Sequence, residues 1–447
     1  MNGPRGAHIN LTPAQTLVLG FLVAIAVGTV LLTLPAASAD GESMGLVNAL
    51  FEATSAVCVT GLVVVDTGSE LSLFGQLVIM ALIQIGGLGI MTMSTLVALI
   101  LGKRIGLKER ILIQRSMGYV NLAGLVRLTR YVLFIAAVIQ GTGALLLTLW
   151  WARQYPLGQA AYLGIFHSIS AFNNAGFDLF GVSLEGYVTD PYVNIVMGAL
   201  IVIGGVGFTV IVDVLSARGT RKKLSLHTRI VLRTTAVLLL VGFLGFLILE
   251  FSNPATLGQL PLGGKVLAAA FQSITPRTAG FNTVPIDQVG GATALFLMLL
   301  MFVGGSPGAT AGGIKTTTLV AVLSAVWATV SGKGEVVIFE RRLSRDTVDR
   351  ALAIFFMALS VVTVTAVLLL VTETEPFLDI VFEAMSAFGT VGLSRGITSE
   401  LSTAGRLIVT VTMFIGRVGP LTLAVALAQR QRSRAEVSYP EEKIMIG

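Results

Sequence analysis

Charged residues are scarce in this chain of 447 residues: 12% are Asp, Glu, Lys or Arg, whereas 54% are hydrophobic. Soluble domains carry about 25% charged residues, so the composition excludes an ordinary soluble protein and indicates a polytopic membrane protein. The single cysteine, Cys58, excludes an intrachain disulfide. The three histidines, His8, His167 and His227, are too far apart in the sequence to suggest a metal site.

Long uncharged stretches dominate the chain instead. Because about 20 apolar residues cross the hydrocarbon of a bilayer, the sequence predicts eight spans, at residues 14–36, 73–101, 131–151, 191–212, 229–250, 292–330, 351–371 and 405–428. We expect only the sixth to be broken, because it contains GGSPGATAGGIKTTT at residues 304–318.

Basic residues are confined to alternate connections. The loops after the second, fourth and sixth predicted spans and the tail carry them, among others Lys103, Arg104, Arg218, Lys222, Lys333, Arg341 and Arg432. Cytoplasmic loops are enriched in Lys and Arg. We therefore expect these loops and both termini to face the cytoplasm.

The other four connections share one motif. They read LFEATSAVCVTGL (50–62), IFHSISAFNNAGF (165–177), AFQSITPRTAGF (270–281) and VFEAMSAFGTVGL (381–393). Each contains Phe, a polar residue, Ser or Thr three places later, and a glycine followed by Leu or Phe. A second shared pattern follows each glycine, as IGGLG (85–89), IGGVG (203–207), VGGSPG (303–308) and IGRVG (415–419).

This fourfold internal repeat predicts the domain organisation. The units are residues 14–104, 128–218, 229–331 and 350–430, followed by a cytoplasmic C-terminal tail at 431–447. Each unit would be a helix, a re-entrant segment, a glycine turn and a second helix. The predicted fold is therefore all-α and polytopic, with eight membrane helices in a pseudo-fourfold arrangement around a central pore.

The segments before the four glycines are too short to cross a bilayer, and irregular backbone at that depth must line a wet cavity or be buried in protein. Four copies facing one axis would form a ring of carbonyls that replaces the water around a cation. The negative ends of the short helices favour a cation as well. The alternative is that these glycines only pack helices. The candidate ion-binding residues are Val59, Thr60, Gly61, Asn174, Ala175, Gly176, Thr278, Ala279, Gly280, Thr390, Val391 and Gly392.

The motifs SAVCVTGL, SAFNNAGFD, TPRTAGFNT and SAFGTVGLS resemble those of the Trk/Ktr/HKT superfamily of potassium transporters, over nearly the whole chain. Within this superfamily, the chain most resembles the bacterial KtrB type of membrane subunit. The segment before residue 14 is too short for two extra N-terminal helices, and the ending PEEKIMIG is similar to the KtrB C-terminus. The resemblance implies potassium uptake across a bacterial inner membrane, with potassium as the ion bound and no organic cofactor. None of the four segments has the TVGYG signature of channels, so selectivity could be looser.

The same resemblance implies partners. A KtrB-type chain would form a homodimer in the lipid bilayer, seated on a cytosolic ring of nucleotide-binding KtrA-type subunits, and it would not bind nucleic acid. The inner loops are too short to form a regulatory domain of their own.

The broken sixth span is the candidate gate. Gly and Pro unwind a helix there, and the exposed backbone must face a pore or protein. The family resemblance makes this loop the barrier beneath the filter. The gate residues would be Gly304, Gly305, Ser306, Pro307, Gly308, Ala309, Thr310, Ala311, Gly312, Gly313, Lys315 and Arg417. Two alternatives are a nucleotide P-loop, which Ile314 disfavours by separating Gly313 from Lys315, and a kinked packing helix, which leaves Lys315 unexplained.

Arg417 occupies the place of Gly87, Gly205 and Gly305 in the other units. A central arginine is costly in a bilayer, so it should face the pore or a protein partner. There it would oppose cation passage and bind loop carbonyls; the alternative is a structural arginine paired with an acid or a helix end. Glu52 and Glu383 would either attract cations at the mouth or stabilise the short helices, and Cys58, Asn173 and Asn174 would support the filter from behind.

Two other classes of protein remain as competitors. A secondary transporter of another small solute also uses repeats and broken helices, although its repeats are usually inverted. An intramembrane enzyme would need aligned Ser and His residues or paired aspartates within the spans, and the sequence has neither.

Overall fold

The computed structural model describes residues 13–89, 125–220 and 223–428. In these ranges the chain is helical except for loops and one hairpin, in which Val337–Ile338 pairs with Arg341–Arg342. The predicted all-α class is confirmed apart from this hairpin. Residues 90–104 of the first predicted unit, the basic loop around Lys103, and the tail at 431–447 lie outside the described residues.

Within these described ranges, four helices are long and apolar enough to cross a bilayer. Their surfaces carry exposed aliphatic side chains, such as Val30 at 64% and Val371 at 81% exposure. Apolar faces of this kind suit contact with lipid. These helices are α1 (Pro13–Thr33), α4 (Leu125–Trp151), α8 (Leu226–Glu250) and α12 (Arg345–Thr372).

Four shorter helices follow them, one after each long helix. With 13 to 16 residues and a rise of about 1.5 Å per residue, they are shorter than the roughly 30 Å hydrocarbon core. The phenylalanine of the shared motif is buried in every copy, at Phe51, Phe166, Phe271 and Phe382. These helices are α2 (Leu46–Cys58), α5 (Leu157–Phe172), α9 (Leu262–Ile274) and α13 (Phe377–Gly389).

In units two and four, the last helix is interrupted where the sequence predicts a continuous span. The continuous spans predicted at 191–212 and 405–428 are wrong: the chain bends by 94° at Gly207 and breaks again at Gly419. The helices on either side are α6 (Pro191–Val206) and α7 (Phe208–Thr220), then α14 (Thr403–Val418) and α15 (Pro420–Ala428). In unit one, α3 (Leu73–Leu88) ends before the glycine Gly89.

Local chemistry explains these breaks. Gly207 and Gly419 have φ of +97° and +88°, a region that glycine enters without steric cost. Pro420 also lacks the N–H that would continue the helix. A Cβ at Gly207 would lie 2.9 Å from the carbonyl oxygen of Pro307. The bend therefore makes room for the loop between α10 (Gly291–Phe302) and α11 (Thr316–Val330).

Candidate functional site

Each short helix ends in a segment of unusual backbone. Two residues before each glycine the chain is left-handed, at Val59, Asn174, Thr278 and Thr390, with φ of 57°, 58°, 71° and 49°. The glycines themselves have φ of 89°, 73°, 78° and 90°. The residue between has negative φ in every copy. A left-handed residue, a residue of negative φ and a glycine of positive φ in succession depart from an ordinary strand, in which φ is negative throughout.

The four glycines approach one another closely. A Cβ at Gly61 would lie 2.5 Å from Ala175 O and 2.9 Å from Gly176 Cα. A Cβ added at Gly176 would lie 3.0 Å from Gly280 Cα, and one added at Gly280 would lie 2.8 Å from Val391 O. A Cβ added at Gly392 would lie 2.2 Å from Thr60 O, back in the first segment. The contacts thus form a closed circuit. The structure brings together all the candidate ion-binding residues of the four segments.

Hydroxyl side chains hold these segments in place. Ser55 Oγ accepts the N–H of Gly61 at 3.1 Å, and Ser170 Oγ donates to Phe177 O at 2.7 Å. The same two patterns recur at Ser386, which accepts from Gly392 at 3.2 Å, and at Thr275, which donates to Phe281 O. These four residues were not predicted from the sequence to have a role. Their recurrence three places after the polar residue of every motif was the available signal.

The polar residue of the motif fixes the chain beyond the glycine. Glu52 Oε1 accepts the N–H groups of Val64 (2.7 Å) and Val65 (3.1 Å), and His167 Nε2 accepts that of Leu179 at 3.3 Å. Glu383 accepts the hydroxyls of Ser394 and Thr398. Glu52 and Glu383 are fully buried, so they stabilise the segments and do not line an open mouth. Gln272, their counterpart in unit three, has no hydrogen-bond partner among the described residues.

An acidic cavity lies on the side of the glycines away from the short helices. It has a volume of about 500 Å³, and all four glycines line it. No Lys or Arg occurs among the described residues of its wall, whereas five acids do: Asp66, Glu70, Asp178, Glu185 and Asp287. Burial raises the pKa of Asp178 to about 6, against the opposing effect of N–H donors from Phe180 and Gly181. We call this cavity the acidic vestibule.

The loop of residues 303–315 lies on the opposite side of the glycines. Gly304 N donates to Ile314 O at 2.9 Å and so closes the base of the loop. Ser306 N donates to Gly205 O at 3.1 Å, and Phe208 N donates to Gly308 O at 3.1 Å. The loop is therefore attached to both helices that flank the bend at Gly207.

Arg417 reaches this loop. Its Nη1 donates to Thr310 O, and its Nη2 donates to Gly86 O at 2.5 Å. Lys315 Nζ donates to Ala311 O (2.7 Å) and Gly312 O (3.4 Å). The loop carbonyls at 310, 311 and 312 thus all accept from basic side chains. This arrangement explains Lys315, which a simple packing helix did not.

A further basic residue, missed by the sequence analysis, lies at the start of the loop. Arg277 is only 8% exposed, and its Nη2 is 3.4 Å from Gly304 O. Among the described residues, neither Arg277, Lys315 nor Arg417 forms an ion pair with a carboxylate. Arg277 could have been found from the sequence, because it is a charged residue in the motif TPRTAGF at the position where the other units have Cys58, Asn173 and Gly389.

Two of the residues expected to support the filter from behind, Asn173 and Cys58, differ in their contacts. Asn173 Nδ2 donates to Gln84 Oε1 at 2.8 Å and to Ile169 O at 2.9 Å, so it anchors the end of α5. Cys58 is fully buried and free. No group of His, Cys, Asp and Glu suited to a metal ion occurs in the part of the chain that the structure describes.

This combination defines a class of protein: a helical membrane protein in which four glycine turns meet between an acidic vestibule and a loop held by basic side chains. The chain belongs to the TrkH family, whose description is "cation transport protein", and it matches the family over residues 12–438. It is therefore a transport protein and not an enzyme.

Curated relatives match along almost their whole length. The chain is 45% identical to "Ktr system potassium uptake protein B" of Bacillus subtilis, over 98% of each chain. It is 42% identical to the protein of the same name from Vibrio alginolyticus, covering 97% of this chain and 94% of the relative. It is also 42% identical to "Potassium/sodium uptake protein NtpJ" of Enterococcus hirae, over 98% of each.

A solved structure has the same fold. The crystal structure of the potassium transporter TrkH from Vibrio parahaemolyticus superposes with a TM-score of 0.75 at 20% identity, covering 96% of this chain and 87% of that one. At this identity the match concerns the fold alone.

Proposed function

We propose that this chain is the ion-conducting subunit of a Ktr-type potassium uptake system. The names of the two relatives called Ktr system potassium uptake protein B support the substrate and the system. The observation that carries the proposal is the closed circuit of contacts among Gly61, Gly176, Gly280 and Gly392, because a cation must exchange its water shell for a ring of oxygens.

The finer architecture follows from the repeat. Units at residues 14–104, 128–218, 229–331 and 350–430 would each contribute one long helix, one re-entrant short helix and a second membrane crossing, arranged pseudo-fourfold around the glycines. On this view the helix pairs broken at Gly207, at the loop 303–315 and at Gly419 are single crossings, giving eight in total. The breaks are then places where non-helical backbone lines the ion path.

The filter would consist of the backbone carbonyls of residues 59–61, 174–176, 278–280 and 390–392. The C-terminal ends of α2, α5, α9 and α13 point their negative dipoles toward this ring. Five acids in the vestibule raise the local concentration of cations at its entrance. Ser55 and Ser386, which accept N–H groups, and Ser170 and Thr275, which donate to carbonyls, would keep the ring at one size.

The gate would be the loop of Gly304–Lys315 together with Arg417. Its contact with the fourth segment supports this role, since a Cβ at Gly312 would lie 2.0 Å from Thr390 Oγ1. The positive charges of Arg417 and Lys315 oppose a cation at this level. Opening then requires the loop to leave its hydrogen bonds to α6 and Arg417.

Cellular placement follows from charge. With Lys and Arg enriched in the connections after the second, fourth and sixth spans, the vestibule would face outward from a bacterial inner membrane and both termini would lie in the cytoplasm. A homodimer in the lipid bilayer, with a KtrA-type nucleotide-binding ring below it, would supply regulation.

The experiment that tests this function measures ⁸⁶Rb⁺ uptake into vesicles that contain the purified chain. We expect uptake that follows the applied electrochemical gradient and that potassium competes away, with sodium a weaker competitor. Sodium deserves its own measurement because one relative is called a potassium/sodium uptake protein. Uptake of an organic solute in place of rubidium, by folded and inserted protein, would contradict the proposal and favour a secondary transporter.

A further inference from the structure

Thr310 has all of its polar groups engaged. Its N–H donates to Gly204 O at 3.3 Å, and its carbonyl accepts from Arg417. Its hydroxyl lies 3.2 Å from Phe172 O and 3.0 Å from Oδ1 of Asn174. The side chain is fully buried. One residue of the intramembrane loop therefore contacts the end of a short helix and a residue of the filter segment.

The number of available protons decides which group donates in the hydrogen bond between Thr310 and Asn174. A hydroxyl has one proton and cannot donate to two oxygens, while Nδ2 of Asn174 is buried with no partner among the described residues. Turning the amide by 180° lets Nδ2 donate to Thr310 Oγ1, and the hydroxyl proton then goes to Phe172 O. Both donors are satisfied in this orientation, which avoids the cost of a buried unpaired N–H.

Asn174 is a sensitive place for such a contact. It has φ of 58°, and it precedes Ala175 and Gly176 in the second filter segment. Its side chain and its carbonyl share one Cα, so a hydrogen bond that fixes the amide also restrains the direction of the carbonyl. The loop backbone at Gly312 packs against Thr390, the residue at the same position in unit four. The loop therefore touches two of the four filter segments at equivalent positions.

We propose that the Thr310–Asn174 hydrogen bond couples the loop to the filter, so that the seated loop holds the second filter segment in its potassium-selective geometry. The inference rests on the proposed function. Its consequence is that loosening the loop changes ion selectivity as well as flux, and that a change in the filter at Asn174 loosens the loop.

The first test is Thr310→Val, which keeps the shape of the side chain and removes the hydroxyl. Because a net hydrogen bond corresponds to roughly a fivefold change in an equilibrium constant, we expect several-fold higher basal ⁸⁶Rb⁺ flux and a several-fold higher sodium-to-rubidium ratio. Thr310→Ser, which restores the hydroxyl, should return both values toward the parent. The matched control is Thr235→Val in α8, where a buried hydroxyl has no partner among the described residues; it should change neither.

The second test is Asn174→Gly, which removes the amide and keeps a residue that tolerates positive φ. It should raise basal flux although position 174 is outside the loop. The double variant with Thr310→Val should shift both quantities no further than the larger single change, since the two residues act through one contact. Size-exclusion profiles and melting temperatures verify that each variant is folded.

The outcomes separate the coupling from the gate. Raised flux in Thr310→Val with the parental ion ratio would overturn the coupling and leave the gate intact. If Thr310→Val has both the parental flux and the parental sodium-to-rubidium ratio, the result contradicts the coupling and the gate. Additive shifts in the double variant would also overturn the coupling. If Thr310→Val does not fold, Asn174→Gly decides alone, and parental flux in that variant overturns the inference.

Discussion

Arg417 and Gly86 are 331 residues apart in the chain, and Nη2 of the arginine donates to the carbonyl of the glycine at 2.5 Å. Its Nη1 donates to Thr310 O in the loop. A guanidinium presents its donors in a rigid plane, so one side chain of unit four fixes the loop of unit three relative to α3 of unit one. The carbonyls of Gly204 and Gly205 in unit two also accept hydrogen bonds from the loop. The loop is therefore bound directly by units two and four, and through Arg417 it is connected to unit one.

Gly61→Ser should raise the sodium-to-rubidium flux ratio. The added side chain would start from a position 2.5 Å from Ala175 O and from a backbone with φ of +89°, so neighbouring carbonyls must move. Equivalent changes at Gly176, Gly280 and Gly392 should also disturb selectivity or flux. Gly41→Ser is the control, because Gly41 has φ of +75° and nothing within 4 Å; an unchanged ratio in folded Gly61→Ser protein would contradict the filter assignment.

Deleting Gly308–Gly312 should increase rubidium flux measured without any cytosolic partner. The deletion removes Thr310, the carbonyls that bind Lys315 and the bond between Gly308 O and Phe208 N. The shortened loop therefore loses its attachments to α7 and Arg417, and we expect it to leave the ion path open. Flux at or below that of the parent, in protein shown to be inserted and folded, would refute the gate assignment.

Arg417→Ala should also raise flux, since it removes a positive charge and two hydrogen bonds to backbone carbonyls. Arg417→Lys keeps the charge but cannot reach both carbonyls in one plane, so its flux should lie between those of Ala and the parent. Combining Arg417→Ala with the loop deletion should give less than the product of the two effects, because the residues form one barrier. Independent effects would indicate two separate barriers.

Ser170→Ala should lower both stability and selectivity. The hydroxyl donates to Phe177 O at 2.7 Å within the buried core, and losing such a bond costs about 1 kcal/mol. The measurements are the melting temperature and the sodium-to-rubidium ratio. Ser360→Ala is the control, because its exposed hydroxyl only donates to Phe356 O within its own helix. A lower melting temperature with parental selectivity would limit Ser170 to a structural role.

Rubidium uptake should fall as the pH on the vestibule side decreases from 7 to 5. Burial raises the pKa of Asp178 to about 6, so its carboxylate is charged above that pH and neutral below it. Loss of this charge reduces cation attraction at the entrance. Asp178→Asn should give lower uptake at pH 7 and a flatter pH profile; a profile identical to that of the parent would exclude Asp178 as the titrating group.

Much of the fold could be read from local pattern. Four long apolar helices lie where uncharged stretches are found, and four short helices precede the repeated glycines, because hydrophobic length and glycine placement are properties of adjacent residues. The breaks at Gly207 and Gly419 were missed. Glycines recur within these apolar helices without ending them, as at Gly204 and Gly416, so glycine alone does not mark a break. The loop packed against Gly207 shows why a helix must end there.

The candidate site also has a part that the sequence predicts and a part that the sequence does not predict. The sequence by itself determined the four glycines, because they recur in every unit of the repeat. It also determined the broken span and Arg417, because each of these departs from the repeat. Only the tertiary structure decided which groups meet: Thr310 with Asn174, Arg277 with Gly304, and the buried acids Glu52 and Glu383 with backbone and hydroxyl groups instead of ions. Thr310 and Asn174 are 136 positions apart, and Arg277 and Gly304 are 27 apart. All of these contacts depend on how helices and loops pack, and the spacing of residues along the chain does not specify that packing.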